Sequence, residues 1–169
     1  PYRRQRQMCI RDSYEVKLQG KHGALAYRPD FHNSKRTQLG FALSDISDNL
    51  PAAFFIYRAD KEDERILYAN QEMLQLTGCT DLDDFMHFTK HQFRNLVHPE
   101  DLAQVEESIW HQIESGTNGY NDYVKYRLAA KDGTYKTVLD YGRIVESEYY
   151  GSVFYVLVVD YDFIESHYH

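Results

Sequence analysis

Apolar residues change their spacing from segment to segment along this chain, and each change marks an element. Over 14–33 a loose strand-like alternation, YEVKLQGKHGALAYRPDF, is interrupted by Gly20 and Gly23 and reads as the end of a preceding domain. Leu39, Leu43, Ile46 and Leu50 then recur at steps of 4, 3 and 4, which places them on one face of a helix. Ser34 is its expected cap, because a Ser hydroxyl accepts from the free amides of a first turn. Pro51 is its expected stop. This helix, 34–50, either lies on the next domain or forms half of a short two-stranded coil.

Beyond Pro51 the pattern turns extended. Ala53–Tyr57 and Ile66–Ala69 are aromatic and β-branched runs on either side of the charged stretch ADKEDER, a hairpin signature. QEMLQLTG predicts a short helix closed by Gly78, whose backbone tolerates a left-handed exit. DLDDFMHFT predicts another, capped by Asp81. Within NLVHPEDLAQVEESIW, the run His98, Pro99, Glu100 and Asp101 is either a metal or proton-transfer site or a helix start. The helix start accounts for all of it. Pro99 has no amide to waste at a first helical position, and Glu100 and Asp101 put negative charge at the positive end of the dipole. Leu102, Val105, Ile109 and Ile113 continue at helical spacing to about Ser115, before the turn-rich SGTNG. The period then becomes alternating: YNDYVKYRLAA, a KDG turn with Gly133 at positive φ, TYKTVLDYGRIVES, an EYYG turn and SVFYVLVVD.

Composition sharpens this picture. A chain of 169 residues suits one domain with extensions, and its 15 Tyr and 9 Phe favour a pleated, half-buried surface. No apolar run approaches the roughly 20 residues of a membrane span, and no secretory leader pattern is visible. The net charge of −7 divides into +3 for residues 1–13 and −10 for the rest. An acidic body argues against a nucleic-acid partner, even though YNDYVKYR alternates Tyr with basic residues. The basic start, PYRRQRQMCIRDS, resembles a translated sequencing-library adapter from assembled environmental DNA and is excluded from the fold. Outside it only Cys79 remains, which fits a reducing cytoplasm.

Five stretches in order carry a family resemblance: ILYAN at Ile66–Asn70, LTG at Leu76–Gly78, LVHPEDL at Leu96–Leu102, YRLAAKDG at Tyr126–Gly133 and VLVVDYD at Val156–Asp162. Together, over about Asn49 to Asp162, they resemble a PAS domain of the bacterial signalling subtype. FFIYRAD and VEESIWHQI further resemble PAS modules fused to GGDEF diguanylate cyclases. The resemblance implies an α+β fold: a five-stranded antiparallel sheet with short helices and one long helix on one face, preceded by the amphipathic helix. The expected organisation is linker helix 34–50, PAS domain 51–162, and at 163–169 the start of a linker to an output domain. The implied role is a cytoplasmic sensory or interaction module without catalysis of its own. The alternatives are a ligand-free dimerisation domain and the sensor of a histidine kinase. A small α+β enzyme or lyase is the remaining class; no Ser/His/Asp, Cys/His or metal set has the spacing for it.

Each candidate site residue has a plain structural reading beside the functional one. Alternation nominates Ile56, Tyr126, Leu139 and Leu157 from strands and Leu74 and Ile109 from helices as pocket lining, against a filled core. Asn70 is expected to hold the strand-to-helix turn, with ligand contact as a secondary role. The flavin-binding photosensory branch carries a reactive Cys in an Asn-Cys-Arg-Phe-type motif. The comparable HFTKHQFRNL has none, and Cys79 sits too early. Haem-binding relatives carry an axial His on the long helix, but His111 faces away from its apolar side. Flavin and haem are therefore not expected. His87 and His91, four apart, have the spacing of a two-His metal site but no third ligand. Trp110 is assigned to an edge or a partner surface. Leu39, Leu43, Ile46 and Leu50 fit a short seam for a parallel homodimer.

Overall fold

Strands form where aromatic and β-branched residues concentrate, and helices where caps and glycines punctuate. The computed structural model describes residues 41–168, and the chain divides into two units, 1–47 and 48–169. Readings on Cys9, residues 14–33, Ser34 and Leu39 lie outside the described residues. Helix α1, Leu43–Asp48, leaves Leu43 and Ile46 exposed at 68% and 41%. The expected helix 34–50 is corrected on two points. Residues 41 and 42 are not helical, and the helix stops before Leu50. Pro51 accounts for the early stop, since the residue preceding a proline is pushed out of the helical region.

From Asp48 onward the elements run β1 Ala53–Arg58, β2 Ile66–Ala69, α2 Gln71–Thr77, α3 Leu82–Thr89, a 3₁₀ turn Phe93–Leu96 and α4 Pro99–Ser115. They continue as β3 Asn121–Ala129, β4 Tyr135–Ser147, β5 Gly151–Asp160 and α5 Tyr161–Tyr168. The sheet order is β2-β1-β5-β4-β3, antiparallel throughout. β3, the strand following the long helix α4, thus enters at one edge, and the last strand inserts at the centre.

The predicted ends hold, each for a local reason. Asn70 Oδ1 accepts from Met73 N at 3.0 Å and caps α2, and Gly78 closes it at φ +78°. Asp81 caps α3 through Asp84 N at 2.8 Å. His98 caps α4, its Nδ1 accepting from Glu100 N at 3.1 Å, with Pro99 in the first turn. HPED is a helix start.

Two motifs of the resemblance prove to be one clamp. Asp101 accepts from Arg127 Nε at 3.0 Å, from Nη2 at 2.7 Å and from the Arg127 amide at 3.0 Å. Arg127 O in turn accepts from His98 N at 2.9 Å. The HPED segment and the YR of β3 therefore fix the start of α4 to the sheet. Farther along, Gln112 bonds both the amide and the carbonyl of Tyr123, each at 3.0 Å.

Strand register decides which side chains face inward. Phe55 pairs with Val156 and Tyr57 with Phe154, while Asp140 pairs with both Val158 and Val124. One face therefore presents Phe55, Tyr57, Phe154, Val156, Val138, Asp140 and Tyr126, all buried beneath α2–α4. The other face carries Phe54, Ile56, Leu139, Tyr141, Tyr155 and Leu157, the last exposed at 39%. This corrects the nominations of Ile56, Leu139 and Leu157, which stand on the outward face. AFFIYR is apolar at both parities, so its alternation carries no phase. Next to Asp140, Leu139 looked like the inward residue, yet the carboxyl is the buried one.

Candidate functional site

The inner face of the sheet, roofed by α4 and the 3₁₀ turn, is where small and aromatic strand residues meet the apolar stripe of α4, Val105 and Ile109. Aromatic rings occupy its centre. Phe93 of the 3₁₀ turn stacks on Tyr57 at 4.4 Å and 11°, and on Phe55 at 5.9 Å. Tyr126 meets Phe93 edge-on at 6.1 Å. Trp110 of α4 meets Phe154 edge-on at 5.6 Å and carries the Lys61 ammonium over its ring at 5.1 Å. Such pairs add stabilisation beyond their buried area.

The same face buries carboxyl groups. Asp140, 2% exposed, accepts from the Tyr126 hydroxyl at 2.7 Å. Asp122, 1% exposed, has an Oδ1 with no hydrogen-bond partner. It lies opposite Gly142, where a Cβ would stand 2.5 Å from that oxygen. Burial pushes the Asp122 carboxyl up to about 7. Burial, then the charge of Asp122, raises Asp140 well above the usual carboxyl range. At the mouth, Glu64 is 3% exposed and bound by Arg94 Nε at 3.2 Å. Burial, then the hydrogen-bonded carboxyl of Glu106, raises it to about 8. Burial also drives the Tyr57 and Tyr126 hydroxyls well above their ordinary value, reinforced by Asp140.

Of the nominated residues, Asn70, Leu74, Ile109 and Tyr126 are 0%, 5%, 2% and 3% exposed and belong to the inner side. Asn70 ties three segments: its Oδ1 also accepts from Phe54 N at 2.9 Å, and its Nδ2 donates to Ala52 O at 3.1 Å. Asp122, Asp140, Tyr57 and Phe93 went unnominated. The available signal was Asp140 between apolar neighbours on a strand, with Gly142 two residues on.

The remaining candidates have plain surroundings. Cys79 is buried behind α2, 3.5 Å from the Thr77 hydroxyl, and burial pushes its thiol up. His111 is exposed. His87 and His91 do not share a helix face, because α3 ends at Thr89 and His91 follows in a left-handed conformation at φ +63°. Among the described residues no group of three His, Cys, Asp or Glu is placed to hold a metal, and no helix is long and apolar enough to cross a membrane. Surface clefts flank α4. One of about 410 Å³ lies against β3, and another of about 510 Å³ lies between Trp110 and the β1–β2 connection.

A five-stranded antiparallel sheet in the order 2-1-5-4-3, with helices over one face and polar groups buried beneath them, defines an α+β fold. The family profile described as PAS fold matches residues 66–159, and the chain belongs to that family. Three solved structures are similar. A PAS domain from Colwellia psychrerythraea is 16% identical with TM-score 0.53, covering 69% of this chain and 93% of that one. A Rhodobacter sphaeroides LOV protein is 17% identical with TM-score 0.54, covering 70% and 64%. A PAS domain from a two-component sensor histidine kinase is 15% identical with TM-score 0.52, covering 76% and 98%. At these identities the likeness is one of fold. No curated protein sequence matches the chain.

Proposed function

We propose that this PAS domain is the cytoplasmic sensory or protein-interaction module of a bacterial signal-transduction protein. Binding of a ligand or partner alters the sheet and its flanking helices, and the change passes to an output domain after Asp162, a GGDEF diguanylate cyclase. The observation that carries this reading is the exit from the sheet. β5, the central strand, runs from Asp160 directly into α5 at Tyr161. The junction is tied to neighbouring strands: Asp162 Oδ2 accepts from Thr137 N at 3.1 Å on β4, and Lys125 of β3 lies over the Tyr161 ring at 4.0 Å. A displacement in the sheet therefore reaches the exit helix through named contacts. A ligand shifts such an equilibrium only by its differential affinity for the two states.

The cyclase rests on the resemblance of FFIYRAD and VEESIWHQI, and the coding sequence downstream of His169 tests it directly. A GGDEF motif there supports the reading, and a histidine-kinase module redirects it. Given a cyclase, Asp162→Ala in the full-length protein is expected to change basal cyclic di-GMP synthesis severalfold while leaving the fold of the sensory domain intact by circular dichroism. Unchanged synthesis would remove the Asp162 junction from the relay.

The stacked Phe55, Tyr57 and Phe93 rings favour one second reading, a ligand-free structural dimerisation domain with a filled core. Native mass spectrometry of the purified chain separates the two by the presence or absence of a retained small molecule. A homodimer is part of either reading, supported by the exposure of Leu43 and Ile46. A monomer by light scattering at high concentration would count against it.

A further inference from the structure

A buried carboxyl group is ordinarily hydrogen-bonded, and an unpartnered one carries a desolvation penalty. Asp122 is 1% exposed, its Oδ1 is unpartnered, and the sequence makes room for it with Gly142 on the facing strand. Asp140 is its diagonal neighbour on the same face, since Asp122 pairs with Gly142 and Val124 with Asp140. The helix above is joined to the residue next to Asp122 by the two Gln112–Tyr123 bonds.

We propose that Asp122 and Asp140 form a proton-operated latch beneath α4: neutral, they let the helix lie on the sheet; ionised, they drive it away. The step is a proton exchange with solvent, in which the carboxyl O–H bond breaks and the proton passes to water. Two charges left in a water-poor layer then repel each other and gain hydration only if the layer opens.

The Tyr126 hydroxyl donates to Asp140 at 2.7 Å, and beyond that bond the surroundings offer these charges little compensation. Tyr57 of β1 and Tyr126 of β3 face the pair, with Glu106 of α4 and Glu64 of the β1–β2 connection beyond. β5 contributes Phe154, Val156 and Val158. Arg94, the cation beside Glu64, has its guanidinium engaged by Glu64 and by the Lys61 carbonyl at 3.0 Å. Burial sets the Asp122 transition at about 7, and burial together with the Asp122 charge raises Asp140 as well. The latch deepens the sensory reading by naming protons as an input. It is nonetheless tested on the 169-residue chain, so a missing cyclase would leave its readouts unchanged.

Trp110 is the only Trp of the chain and sits between α4 and Phe154. Its emission is expected to move to longer wavelength as pH rises from about 5 to about 8.5, with a midpoint near 7. Asp122→Asn should hold the low-pH spectrum across that range. The two proteins differ at this one residue, so contributions from the rest of the chain cancel in the comparison. On the wild type alone, isotope-edited infrared spectra should show a protonated Asp carboxyl band in mildly acid solution that disappears above neutrality. This arm and Asp140→Asn keep the test intact should Asp122→Asn fail to fold. An Asp122→Asn protein that titrates like wild type overturns the latch. So does the absence of the carboxyl band in mild acid, or a band that titrates while Trp110 stays unmoved.

Discussion

At Gly142 the missing side chain is a packing requirement rather than a backbone one. A Cβ there would meet Asp122 Oδ1 at 2.5 Å and both other carboxyl atoms at 3.2 Å. Asp122 has little freedom to retreat, being closed in between strands and helix. Gly142→Ala is therefore expected to destabilise the domain by about 1–3 kcal/mol, the usual cost of overpacking, measured by urea unfolding. The cause is identified by a second substitution in the same chain. In an Asp122→Ala background the added methyl should cost far less, a coupling between contacting residues that a double-mutant cycle reads directly. Equal cost in both backgrounds would show that something other than the carboxyl excludes a side chain from this position.

Between elements, the Asp101–Arg127 clamp is the contact that gives two separated motifs a common purpose. Hydrogen bonds from the Arg127 side chain, together with its amide, hold the Asp101 carboxyl down to about 2. A carboxyl with a depressed value in the folded state stabilises above its ordinary 3.8, and that contribution fades as pH falls from 3.8 toward 2. Asp101→Asn should lower the melting temperature at neutral pH by on the order of 3–6 °C and flatten the acid limb of the profile. A wild-type acid limb in the variant would assign acid sensitivity elsewhere. This clamp also shows which parts of the fold were legible in the sequence. Asn70, Gly78, Asp81 and Pro99 mark element ends because capping is settled within four residues, and their roles held. The partner of Asp101 lies 26 residues away, so HPED could be read as a helix start but not as half of a clamp. Phase was illegible for a different reason. Where both parities of a strand are apolar, as in AFFIYR, pairing with β5 chooses the face, and that choice put Ile56, Leu139 and Leu157 outside. The acidic groups of the interior were hidden by the rule that carboxylates face water, which Asp122 and Asp140 break in a layer that retains them.

Taken over residues 48–168, the buried acids and the clamp act on stability in opposite directions with pH. Asp122, at about 7 when folded against 3.8 as its ordinary value, stabilises fully below 3.8 and loses that contribution as pH rises to 7. Glu64, at about 8 against 4.5, behaves the same way over its own wider span. Asp101 loses its contribution only below 3.8. The optimum is thus expected near pH 4, more acidic than the pH 5–8 where most proteins are most stable. From there to pH 7 Asp122 alone accounts for a decline on the order of 4 kcal/mol. The net charge of −7 pushes in the same direction, since self-repulsion grows as further groups ionise. Salt separates the two causes. Repulsion among exposed charges is largely screened at molar ionic strength, whereas buried groups are screened far less. Urea midpoints measured from pH 3 to 8.5 in low and high salt should therefore keep most of their decline when salt is added. In Asp122→Asn the decline should shrink in both. A profile that is flat, or that rises from pH 5 to 8, would mean that water reaches these carboxyls and that the inner face is not the dry layer on which the latch depends.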